Sequence, residues 1–151
     1  MTDPRPVNAN QTSPTETPRP INLVRSFGAV FAGMIAVFVL SLGTDAVLRA
    51  IGISPPYAQR MSDPLFVVAT AYRIVFGILG GYITATLAPA RPMQHALFYG
   101  LVGLVLSIIG AVATWNMPEL GPRWYPLALV ITAIPCAWIG GKLRVNRSQA
   151  Q

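Results

Sequence analysis

The feature that most constrains this chain is a run of 19 uncharged residues, Ser26 to Thr44, bounded by Arg25 and Asp45. At a rise of about 1.5 Å per residue, a helix covers roughly 28 Å over that run, the thickness of one hydrocarbon core. Lipid offers the backbone no hydrogen-bond partners, so such a run must satisfy its own polar groups and becomes a helix. Three similar stretches follow, giving expected spans at about 26–48, 65–87, 95–115 and 124–141. The chain therefore reads as an all-α integral membrane four-helix bundle built of two helical hairpins. Composition supports this. Of 151 residues, 53% are hydrophobic and 11% charged, against roughly 25% charged in globular domains. A soluble domain of this size would need far more charge on its surface.

Residues 1–20 form a separate block, with Pro4, Pro6, Pro14, Pro18 and Pro20 among polar residues. They bury too little apolar surface to offset ordering and are expected to be a disordered cytoplasmic tail. Residues 21–145 are the expected four-span domain, and 146–151 a short cytoplasmic tail. Ser41 and Gly43 make a small-x-small pair that invites a signal-peptide reading. A polar leader this long and an apolar stretch this extended argue against cleavage. Between spans, Gly52-Ile-Ser-Pro-Pro breaks the first helix, and Asp63 is expected to cap the second, with Pro64 at its first position. Pro89 and Pro92 close the second span, and residues 116–123 form a polar loop. Pro135 should kink the fourth span.

Orientation follows from the basic residues. Arg5, Arg19, Arg25, Arg91, Lys142, Arg144 and Arg147 fall on one side. Arg49, Arg60 and Arg123 fall on the other, with Arg73 inside a span. Lys and Arg favour cytoplasmic loops, so both termini are expected in the cytoplasm. Trp115, Trp124 and Tyr125 then form an interfacial aromatic belt on the opposite side. The net charge of +6 reads as an attraction to anionic headgroups, with Arg91, Lys142 and Arg144 as the expected contacts, and not to nucleic acid.

Small residues recur at helical spacing. Gly77 and Gly81 stand four apart with Gly80 beside them, and Gly140 and Gly141 close the fourth span. Lacking Cβ atoms, such positions let helix backbones approach closely, so all five are expected packing residues. The Gly-Gly pairs at 80–81 and 140–141, with Phe27-Gly28 and Tyr99-Gly100, also hint at an internal duplication.

Arg73 is the sharpest single residue. It lies nine residues beyond Pro64, roughly 13 Å into its helix, where an unpaired arginine costs about 2.5–3.5 kcal/mol. Asp45 is the one acid positioned to meet it, so an intramembrane Asp45–Arg73 ion pair is expected. The pair reads either as a structural lock between the first two helices or as a gate or anion site. The lock is preferred, because one pair with few polar neighbours makes a poor pathway. Catalysis has little to work with: one histidine (His95), one cysteine (Cys136) and five acids. No metal, cofactor or Ser-His-Asp set can be assembled from them, and the chain reads as a non-enzyme. A row of acids resembling a proton relay is also missing.

Gly43-Thr44-Asp45, Tyr72-Arg73, Gly80-Gly81-Tyr82, Leu87-Ala88-Pro89, Arg91-Pro92-Met93-Gln94-His95-Ala96 and Gly121-Pro122-Arg123-Trp124-Tyr125-Pro126 resemble segments of small uncharacterised four-span bacterial inner-membrane proteins. The resemblance covers roughly residues 25–144. It implies a multi-pass location in a bacterial cytoplasmic membrane and names no substrate. The expected role is a non-catalytic accessory or interaction component of a membrane assembly, with the lipid bilayer and a membrane-protein partner or a second copy as its contacts. The alternative is a small homo-oligomeric transporter or channel lined by the Asp45–Arg73 region and the Gly-rich second span.

Overall fold

The computed structural model describes residues 23–55, 61–117 and 120–150, so the Pro-rich segment 1–20 lies outside the described residues. Four helices follow in order: α1 (Leu23–Ala50), α2 (Asp63–Leu87), α3 (Pro92–Thr114) and α4 (Trp124–Gln149). There is no strand among the described residues. Every helix is long and apolar enough to cross a bilayer, which makes this a multi-pass membrane protein. Even α3, the shortest at 23 residues, reaches roughly 34 Å. Large apolar side chains such as Phe31, Val39, Ile109 and Ile131 point outward, where water would penalise them and acyl chains do not.

Local chemistry sets the helix ends. Gly52 adopts φ +77°, and its N–H donates to the Arg49 carbonyl while that of Ile53 donates to Leu48. This is a Schellman stop, which needs a left-handed residue that glycine supplies without a Cβ clash. At α2 the boundary differs from the expected one. Ser62 is the extended cap residue and Asp63 already lies in the first turn, because the Ser62 carbonyl accepts the first helical bonds, from Leu65 and Phe66. Asp63 there still favours the positive end of the helix dipole. Arg91 takes φ 48° and ψ 62° before Pro92; the proline disfavours the right-handed region for its predecessor, and the tight turn selects the left-handed one. The fourth helix does not stop near Gly141 but continues to Gln149, roughly 12 Å further. Nothing in Lys142-Leu-Arg-Val-Asn-Arg-Ser breaks a helix, and α4 also runs uninterrupted through Pro135.

The interior is built from small side chains. Ala29, Ala69, Ala85, Ala96 and Ala137 are all buried. Gly33 meets Thr84 and Gly80 of α2, whereas Asp45 further along α1 meets Tyr72 and Arg73, so these two helices contact in opposite senses. Gly77 faces Cys136 and Gly81 faces Ala137, so α2 and α4 contact in the same sense. Helices α2 and α4 carry most of the packing, α4 against both α2 and α3, while α1 rests on α2 and barely touches α3. Two faces result. The terminal face carries the start of α1 and the end of α4; the loop face carries residues 51–55, 61–62, 115–117 and 120–123.

Candidate functional site

Asp45 sits in the last turns of α1, opposite the first half of α2. Arg73 Nη2 donates to Asp45 Oδ2 at 2.8 Å, and the two side chains are 27% and 23% exposed. The Tyr72 hydroxyl donates to the other carboxylate oxygen. Adjacent residues of one helix thus engage both oxygens of one acid on its neighbour. The arginine is held from two further sides. Its guanidinium carbon stands 5.5 Å from the Tyr125 ring and 5.8 Å from the Tyr72 ring, within range for a cation to be attracted by an aromatic quadrupole.

Tyr125 comes from the start of α4, and its place depends on the preceding loop. Its ring packs on Phe66 at 5.1 Å between centroids. Gly121, with φ +140°, lies flat against the Phe66 ring, where a Cβ would collide. Sequence reasoning assigned Tyr125 to the interfacial aromatic belt and did not connect it with Arg73. The contact depends on α4 packing beside α2 across the whole intervening chain, and no local spacing reports that. Trp124 and Trp115 do remain exposed at the loop face, and Arg123 stacks over Trp115 at 5.6 Å.

Three clefts meet at Arg73. One of about 200 Å³ lies between it, Asp45, Ser54 and Phe66. Another of about 600 Å³ opens at the loop face between α3 and α4, lined also by Arg123 and Thr114. The third, about 310 Å³, continues inward past Ser41, Ser107 and Thr132. Two threonines of the lining bond to their own helix: Thr132 donates to the Ala128 carbonyl at 2.7 Å and Thr114 to that of Gly110 at 2.8 Å. Thr70 bonds back to Phe66 in the same way. No group of three or more potential metal ligands exists among the described residues.

The glycines singled out by spacing occupy the opposite half. A Cβ on Gly140 would strike the Ile78 carbonyl and the Tyr82 amide, and one on Gly81 would come within 3.0 Å of the Ala137 backbone. Gly77 faces Cys136, Gly80 faces Tyr99 and Val37, and Gly141 faces Ala96 and Met93. Gly140 also abuts Gly81, so the two Gly-Gly pairs of the suspected duplication lie against each other. Among the basic residues, Arg91 and Lys142 are exposed and Arg144 is partly so. Lys142 Nζ stands 4.7 Å from the Trp138 ring. All three lie at the terminal face, far from Arg73.

Comparison with family models, with curated proteins and with solved structures finds no match to this chain.

Proposed function

We propose that this protein is a non-catalytic accessory or interaction component of an assembly in a bacterial cytoplasmic membrane. It inserts as two helical hairpins with both termini cytoplasmic, the side that carries seven of its eleven Lys and Arg residues. On that side Arg91, Lys142 and Arg144 meet anionic headgroups. The resemblance to four-span bacterial inner-membrane proteins supports the same placement. The observation that carries the role is the closed interior: Gly81, Ala137 and Gly140 bring α2 and α4 into backbone contact. A conducted solute has no path between those two helices. Three of the threonines within the spans, Thr70, Thr114 and Thr132, bond to their own helices.

In this reading Asp45, Tyr72 and Arg73 are a structural lock joining α1 to α2 at depth. The test is the native mass of the complex after gentle extraction from its own membrane, with co-purifying proteins identified. A stoichiometric foreign subunit is expected. A pure homo-oligomer would overturn the accessory role. It would favour the second reading, a small homo-oligomeric transporter or channel, for which the convergence of three clefts on Arg73 speaks. Flux that disappears on joint replacement of Asp45 and Arg73, with folding intact, is the mark of that alternative.

A further inference from the structure

The clefts at Arg73 do not end in the protein. Phe38 and Leu106 line the 600 Å³ and 310 Å³ clefts and also a groove of about 1000 Å³ that runs toward the terminal face past Phe31 and Phe98. The three adjoin at these two side chains and make a trough of neighbouring clefts along the seam where α1 barely touches α3. From Thr114 to Phe98 it follows α3 for roughly 24 Å. Its two ends differ in chemistry. The terminal end is walled by apolar side chains and Gly28, while the loop end is lined by Arg73 and Arg123.

We infer that this seam binds one membrane lipid, its acyl chain along α1 and α3 and its anionic headgroup against Arg73 and Arg123 at the loop face. Charge complementarity identifies the occupant. Two guanidinium groups line the mouth. Asp45 engages one of them through Nη2, and Arg123 has no carboxylate partner among the described residues. A phosphate oxygen suits the planar donor fork of an arginine. The glycines support the tail. Gly28, Gly103 and Gly110 line the trough, and a Cβ on any of them would meet nothing within 4 Å. Glycine weakens a helix and closes no contact in this chain at these positions, so what it supplies there is width. A free anion would leave the apolar part of the trough unfilled. The site stands whether or not the protein has a partner subunit.

The test uses the full chain, delipidated in neutral detergent and titrated with phosphatidylglycerol or phosphatidylcholine of identical acyl chains, with bound lipid counted by native mass spectrometry. One phosphatidylglycerol is expected to be retained, roughly fivefold or more tighter than phosphatidylcholine. Arg123→Gln should abolish the preference. Gly110→Leu, which fills open space and should fold normally, should weaken both lipids about tenfold. Equal affinity for the two lipids, or a preference untouched by both variants, overturns the inference. So does full displacement by millimolar inorganic phosphate, which marks a site for the anion alone. A dimer without lipid that Gly110→Leu dissolves would give the seam to a second copy.

Discussion

At the terminal half of the bundle, Gly140 lies against the Ile78 carbonyl and Gly81 against the Ala137 backbone, and the helices touch without side chains between them. At the loop half, α1 and α2 are joined by Asp45, Tyr72 and Arg73, and clefts open beside them toward α3 and α4. Both halves face the same problem, since lipid provides no hydrophobic drive to pull helices together. One half solves it with dispersion, which requires near-contact over a continuous surface and so tolerates no inserted atoms. The other uses a directional polar cluster, which fixes two helices at a point and leaves space around it. Close contact and accessibility are thus assigned to different places in the same four helices, the α2–α4 seam and the clefts around Arg73.

The contrast sets the expected order of mutational effects. Gly140→Leu should be the most damaging, because its new atoms would meet backbone and not a movable side chain. A loss of about 3 kcal/mol or more is expected, read as loss of folded protein in detergent melting. Arg73→Gln comes next, at about 2 kcal/mol, since it strips a half-buried carboxylate of its cation. Asp45→Asn combined with Arg73→Gln should recover part of that loss. Equal melting of the unaltered protein, the single variant and the double variant would remove the lock from the account. Gly103→Ala should act in the opposite direction, stabilising by about 0.5–1 kcal/mol, because its open surroundings accept a methyl group and alanine favours the helix. Smaller still is Arg91→Gly, expected to gain about 0.5 kcal/mol by relieving a left-handed arginine. A comparison with Arg91→Gln separates that backbone gain from loss of the charge.

The four helices were legible because an uncharged run of bilayer length has few alternatives. The contact between Asp45 and Arg73 was legible for a related reason: with so few charges in the spans, an intramembrane arginine had one acid within reach. Tyr125 was not, because its approach to Arg73 depends on α2 and α4 lying side by side and on Gly121 folding the loop onto Phe66. Nor does a glycine declare its neighbour. Gly100 packs against Ala137, while Gly103, less than one turn away, faces open space, and only the position of α4 distinguishes them. The helical end of α4 was missed for a different reason: hydropathy marks where the bilayer stops, whereas the backbone continues until something breaks it.

The most direct test of the division between packed helix interior and loop-face clefts uses a chain in which the single cysteine is replaced by Cys136→Ser. Ser107→Cys then places a thiol where the loop-face clefts converge, and Ala85→Cys places one in the packed terminal half, at a position 3% exposed. Labelling with a small, charged thiosulfonate in neutral detergent should modify the thiol at position 107 readily and spare the one at 85 until the protein is unfolded. Comparable rates at both positions, or protection of both, would contradict the account.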